Sequence, residues 1–210
     1  MSHAPPPNLS ALPADLPVPA DDGGAAHLVG LRFPDLPLPA TAGGAVNLSN
    51  LPGRTVLYIY PMTGVPGVAL PEGWDLIPGA RGCTPQSCSF RDHFAELKGL
   101  GVSQLFGLSV QDTAYQREAA QRLHLPFALL SDEARYFSQA LRLPTLVVAG
   151  LALLKRMALV ADAGTIRKVF YPVFPPDKSA AEVVAWLRGA AGGTGFTPHR
   201  DRRAPRERAW

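Results

Sequence analysis

The chain has 210 residues, 47% of them apolar and 8% aromatic. That length supports one domain with a full core and hardly two, and the composition is globular rather than that of a polar disordered chain. The formal net charge of +3 sits wholly at the C-terminal end, where the last 15 residues hold five arginines against Asp201 and Glu207. No basic patch with interleaved aromatics lies in the body, which argues against nucleic-acid binding as the main function. Two cysteines exclude a disulfide-dense scaffold and a four-cysteine zinc or iron–sulfur site.

Residues 1–27 are rich in Pro, Ala and Asp and read as a flexible Pro-rich arm. They carry no Lys or Arg and no continuous apolar core, so a secretory signal is not expected. No stretch reaches the length of a membrane span; Thr145 to Ala161 comes nearest and is interrupted by Lys155 and Arg156. The expectation is a soluble cytoplasmic protein with no membrane partner. In that reducing compartment its cysteines would be free, redox-active or metal-bound.

After scattered apolar residues from Leu28 to Leu38 and a turn at Leu51-Pro-Gly-Arg54, Thr55 to Tyr60 is a near-continuous apolar run. Its β-branched and aromatic content suits a central strand buried on both faces. Residues 61–82 contain five glycines, four prolines and Trp74. A loop of that length in a compact domain is usually functional.

Phe90, Phe94 and Leu97 recur at helical spacing, and Gly99 and Gly101 end the helix. Leu105 to Val110 predicts a second buried strand. Asp112 or Thr113 caps a helix to about Leu123. A short strand follows at Phe127 to Leu130, then a helix near 133–141 opened by Ser131 and Asp132. Thr145 to Val148, Arg156 to Val160 and Thr165 to Phe170 predict strands, the last two joined as a hairpin at Ala163-Gly164. Ser179 caps a final helix through Arg188, and a Gly- and Arg-rich flexible tail occupies 190–210. The early alternation of strands and helices demands right-handed crossovers and parallel strands, and the hairpin adds antiparallel ones. The predicted class is α/β, a thioredoxin-like fold with a mixed central sheet flanked by helices.

The chemistry points to Gly79-Ala-Arg-Gly-Cys83-Thr-Pro-Gln-Ser-Cys88-Ser-Phe-Arg-Asp92. Cys83 lies where the long loop becomes a helix, beyond the carboxyl end of the first apolar strand. That crevice is where such sheets hold ligands. Free backbone N–H groups at a helix start favour a negative charge, Arg81 is close in sequence, and the thiolate is the nucleophilic form of cysteine. Thr84 and backbone N–H groups are placed to steady an incoming oxygen. Cys88 is five residues on, a rise of roughly 7.5 Å in a regular helix, beyond the ~7 Å Cα separation that a disulfide allows. Cys88 is therefore either a packed helix residue or one that reaches Cys83 only when the first turn unwinds. The spacing is not Cys-x-x-Cys, and His93 alone does not complete a metal site.

Tyr58-Ile-Tyr-Pro61, Gly82-Cys-Thr-Pro-Gln-Ser-Cys-Ser-Phe-Arg-Asp92, Gly107-Leu-Ser109, Leu129-Leu-Ser-Asp132, Gly164-Thr-Ile-Arg-Lys-Val-Phe170 and Val184-Ala-Trp-Leu187 together resemble the peroxiredoxins of the bacterioferritin-comigratory-protein type. The resemblance covers about residues 28–189 and makes them a peroxiredoxin domain. It implies a thiol peroxidase acting on hydrogen peroxide or alkyl hydroperoxides. Cys83 matches the peroxidatic cysteine and Cys88 the resolving one, with an intramolecular disulfide restored by thioredoxin or a similar dithiol. Arg156 matches the arginine that favours the thiolate and polarises the peroxide. No metal, haem or flavin is implied. A monomer suffices for a cysteine pair within one helix, and a weak homodimer is compatible.

One departure stands out. The family spaces proline, three residues, threonine, two residues and then cysteine, whereas Ala80 and Leu76 occupy the threonine and proline places here. Pro61 lies 22 residues before Cys83, so a loop of about 62–79 is inserted. Thr63 returning over that loop, or Thr84, is the candidate substitute for the missing hydroxyl. The alternatives to a two-cysteine peroxidase are a peroxidase using only Cys83 and a redox sensor or adaptor with little turnover.

Overall fold

A computed structural model describes residues 8–192; the first seven residues and the Arg-rich segment of the expected tail lie outside the described residues. Five strands form the central sheet: β3 (Arg54–Ile59), β4 (Val102–Ser109), β5 (Leu129–Ser131), β8 (Met157–Asp162) and β9 (Thr165–Phe170). Their order is β5-β4-β3-β8-β9. β3, β4 and β5 run parallel, while β8 is antiparallel to both β3 and β9. The remaining strands are outside this sheet. β1 (Pro37–Pro39) pairs with β2 (Ala45–Asn47), and β6 (Thr145–Val148) with β7 (Leu151–Leu154). The helices are α1 (Cys83–Asp92), α2 (Phe94–Gly99), α3 (Thr113–Arg122), α4 (Tyr136–Ala140) and α5 (Ser179–Gly192). This is the mixed thioredoxin-like sheet expected from the sequence.

The β3 run explains the two-sided core. Side chains alternate across a strand, so Val56, Tyr58 and Tyr60 face one layer and Leu57 and Ile59 the other. On the first face they meet Phe90 and Leu97 from α1 and α2, and Val184 and Leu187 from α5. On the second they meet Leu28, Phe33 and Phe137. Tyr58 stacks on Phe90 with centroids 4.5 Å apart and 11° between planes. Gly107 makes room for it, since a Cβ there would lie 2.5 Å from the Tyr58 ring.

Several boundaries differ from the sequence reading. The helix expected around Phe90 to Leu97 is two helices broken at His93, whose Nδ1 bonds to the Ser89 carbonyl at 2.9 Å. The helix near 133–141 is only Tyr136–Ala140, although Asp132 does accept from the N–H groups of Phe137 and Ser138. Ser179 opens α5, with its hydroxyl accepting from Gln86. β7 is absent from the sequence reading. Its signal is a two-residue turn at Ala149-Gly150, both at positive φ (48° and 79°), between two apolar runs. With the inserted loop this hairpin builds a small third core, in which Trp74, Ala80, Val148 and Leu153 are buried together.

Residues 8–27, expected as a flexible arm, lie along the surface that carries Cys83. The Asn8 carbonyl accepts from Arg81 Nη2 at 2.7 Å. Asp22 accepts from Lys155 Nζ at 2.6 Å and from the Tyr171 hydroxyl at 2.7 Å.

Candidate active site

Cys83 is the first residue of α1 and is 4% exposed. Gly82 before it sits at φ +102°, and a Cβ there would lie 2.3 Å from Pro176 Cγ. Glycine satisfies both demands. The turn delivers the sulfur to the helix start, where backbone N–H groups lack helical acceptors.

Arg156 immediately precedes β8 and is buried. Its Nη2 lies 3.3 Å from Cys83 Sγ and donates to the carbonyls of Ala80 (3.1 Å), Arg81 (3.0 Å) and Gly79 (3.3 Å). Its Nη1 donates to Gln86 Oε1 at 2.5 Å and to the Gly82 carbonyl at 3.4 Å. Among the described residues no carboxylate pairs with it. A buried cation with only neutral partners is costly, and a negative charge on the Cys83 sulfur, 3.3 Å away, would be its nearest countercharge. The same guanidinium gathers four consecutive carbonyls, so it also sets the shape of the turn before Cys83.

Gln86 escaped sequence reasoning. It is fully buried and joins Arg156 to Ser179, its Nε2 donating to the Ser179 hydroxyl at 3.3 Å. The only sign in the sequence is its place three residues after Cys83, on the same helix face. Arg81 behaves differently from expectation. Its guanidinium is taken by Asp75 at 3.2 Å and by the Asn8 carbonyl, while Arg156 holds the sulfur.

The missing threonine is answered unequally by its two candidates. Ala80, in that position, is buried and its carbonyl accepts from Arg156 and from the Cys83 thiol. The Thr63 hydroxyl bonds Gln111 rather than the cysteine: it donates to Gln111 Oε1 at 3.1 Å, and Gln111 also bonds the Thr63 backbone N–H and carbonyl. That pairing engages the hydroxyl. Thr84 is buried and lines the small recess beside Cys83. Leu9, Met62, Leu70 and Trp74 also line that recess, whose volume is about 10 Å³, on the scale of one water molecule.

Cys88 lies on the same unbroken helix, half-buried, and both cysteines are free. Burial pushes its thiol above the usual cysteine value, against the pull of the Arg91 charge. Behind α1, the Tyr58 hydroxyl donates to Ser87 Oγ at 3.1 Å, and burial pushes the phenols of Tyr58 and Tyr60 up, keeping them protonated. His93 takes no part beyond its bond to Ser89.

The redoxin family model matches residues 28–184. The chain belongs to the redoxin family. This redoxin is 30% identical over 143 residues to the chloroplastic peroxiredoxin Q of Oryza sativa subsp. japonica, an alignment that covers 67% of this chain. It is 29% identical over 136 residues to that of Arabidopsis thaliana, covering 64% of this chain. The alignments span 58% and 55% of those relatives' own lengths. In fold it is similar to the peroxidoxin BcpB of Mycobacterium tuberculosis, with a TM-score of 0.61 and 24% identity over 77% of this chain and 96% of that one. It is likewise similar to the bacterioferritin comigratory protein of Xanthomonas campestris, with a TM-score of 0.58 and 18% identity over 84% of this chain and 99% of that one. The resemblance read from the sequence to peroxiredoxins of that type is borne out.

Proposed function

We propose that this redoxin is a thiol peroxidase that reduces hydrogen peroxide and organic hydroperoxides through Cys83. The observation that carries the reading is the buried Arg156 guanidinium, 3.3 Å from Cys83 Sγ and without a carboxylate partner among the described residues. The family assignment and the neighbours support it: the X. campestris protein is described with alkyl peroxide reduction activity, and the Vibrio vulnificus Prx3 was solved with hydrogen peroxide.

In this mechanism the Cys83 thiolate attacks the terminal oxygen of the hydroperoxide. An S–O bond forms, the O–O bond breaks, and the leaving alkoxide or hydroxide takes a proton from solvent. Sulfur is oxidised to the sulfenic acid, the first rung of its ladder. Arg156 and the N–H groups of the α1 start stabilise charge on the separating oxygens, and Gln86 holds Arg156 in place. The first turn of α1 then unwinds, and Cys88 attacks the Cys83 sulfur. A disulfide forms and the sulfenic oxygen departs as water. A thioredoxin-like dithiol returns both thiols by exchange. Unwinding is required because five residues of intact helix hold the two sulfurs' backbones too far apart for a disulfide.

The test is intact mass with thiol counting after one equivalent of hydrogen peroxide. Wild type is expected to lose two hydrogens, Cys88→Ser to hold a sulfenic acid at Cys83, and Cys83→Ser to stay unchanged. Two thiols surviving in folded wild type would overturn the reading. A sulfenic acid persisting at Cys83 in wild type would leave Cys83 as the peroxidase and remove Cys88 from the cycle.

A further inference from the structure

The recess beside Cys83 is walled partly by chain that the family match does not include. The match begins at residue 28, yet Leu9 lines the recess together with Met62, Leu70 and Trp74. Leu9 is seated rather than merely nearby. Its methyl carbons would lie 2.9 and 3.3 Å from a Cβ placed on Gly64, and a Leu70 methyl would lie 3.1 Å from the same point. The absence of a side chain at Gly64 is therefore what lets the arm approach. Three residues on, a Leu12 methyl lies 3.0 Å from where a Cβ on Gly82 would be, directly before the reactive cysteine.

Polar anchors hold this segment at both ends. At one, the Asn8 carbonyl receives Arg81 Nη2, and Arg81 is itself buried and paired to Asp75. At the other, Asp22 receives Lys155 and Tyr171. Lys155 is the neighbour of Arg156 in sequence, so the second anchor ties the arm to the strand entry that carries the catalytic guanidinium. Between the anchors, Leu16 and Pro17 line one cleft together with Arg81 and Arg156, and Pro19 sits 3.5 Å from a Cβ position on Gly79. The arm thus follows the whole Gly79 to Cys83 turn.

We propose that the arm is the outer wall of the peroxide recess, and that Leu9 is a specificity-determining residue that biases the site toward the smaller hydroperoxides. The inference rests on the peroxidase reading of Cys83. With Leu9 in place, a space of about 10 Å³ accepts hydrogen peroxide far better than a branched or aromatic hydroperoxide. Substituting Leu9 by Ala removes three carbons from that wall, and hydrophobic pockets discriminate by about tenfold or more for such changes. The opening lies on the side of Met62, Leu70 and Trp74, whose apolar surfaces favour an organic substituent over water.

The experiment uses the full chain in a Cys88→Ser background, so that Cys83 is its one thiol. Rates of Cys83 oxidation by hydrogen peroxide and by cumene hydroperoxide are read by quenched mass spectrometry. In parallel, Cys83 is alkylated with iodoacetamide and with N-phenylmaleimide, a pair that reports access without any peroxide chemistry. Leu9→Ala is compared with the parent and with Val18→Ala, which alters an exposed residue of the same arm. The expected result is a shift of about tenfold in the cumene-to-hydrogen peroxide rate ratio, and a parallel shift in the alkylation ratio, in Leu9→Ala only. Unchanged ratios in Leu9→Ala, or equal shifts in Val18→Ala, would overturn the proposal. Cys83 inert to both peroxides, with the alkylation ratio still shifted, would sink the peroxidase reading and leave the arm as the wall of the recess.

Discussion

The floor and the roof of the site are built by different means. The floor is α1 with the entry to β8, and its groups are buried, polar and densely bonded: Arg156, Gln86, the four turn carbonyls and the helix start. The roof is the inserted loop and the arm, which are rich in Pro and Gly, largely exposed and joined by apolar contacts with a few polar anchors. The floor supplies charge and geometry at the sulfur. The roof decides what reaches it. A change in the floor should therefore alter the chemistry, while a change in the roof should alter access.

The largest expected effect comes from removing the floor's charge. Arg156→Met should lower the rate constant of Cys83 with hydrogen peroxide by about 10² to 10³, the cost of losing one preorganised transition-state donor. Arg156→Lys should recover only part of that, since a point charge cannot reproduce the guanidinium fork. Stopped-flow kinetics on both variants, with circular dichroism to verify folding, checks this.

The packing beneath the floor comes next. Phe90 is fully buried and stacked on Tyr58, so Phe90→Ala should destabilise the fold by about 3–5 kcal/mol in urea denaturation. Gln86→Leu is a smaller perturbation. It leaves a buried guanidinium N–H without its acceptor, at a cost of roughly 1–3 kcal/mol, and should slow Cys83 oxidation by about tenfold. If that rate is unaffected while stability falls, Gln86 supports the fold and does not position Arg156.

A milder test uses pH. Burial raises the Cys88 thiol in the folded helix. The neutral thiol therefore favours the folded helix below the unfolded value of about 8.5, and that contribution fades as pH climbs through the higher folded value. Ionised Cys88 is also the better nucleophile. The step from sulfenic acid to disulfide should accelerate from pH 7 to 10, measured by quenched mass spectrometry. A flat profile would mean that helix opening, and not Cys88 ionisation, controls resolution. The smallest effect is expected on the roof's outer surface. Leu76 is 80% exposed, and Leu76→Ser should move stability by no more than about 0.5 kcal/mol.

The same contrast governs what could be read from the sequence. Floor elements announce themselves by pattern: Thr55 to Tyr60 is a near-continuous apolar run that feeds two cores, and the cysteine follows the strand and loop in the expected order. Arg156 could be found only through the family resemblance, because 73 residues separate it from Cys83. Gln86 is not legible, because one buried glutamine carries no periodic signal. The roof was the least legible part. The contacts of Leu9 with Gly64 and of Asn8 with Arg81 join residues far apart in sequence, and Pro-rich chain has no helical or strand period to betray where it docks. Thr63 illustrates the limit of analogy: it has the right hydroxyl, but Gln111 engages it.

The most direct measurement is the second-order rate constant of hydrogen peroxide with the wild-type protein at pH 7, with the oxidised residue located by mass. The account predicts oxidation at Cys83, at a rate about 10² or more above that of a free cysteine under the same conditions. A rate no faster than the free thiol, or first oxidation at Cys88, would contradict it.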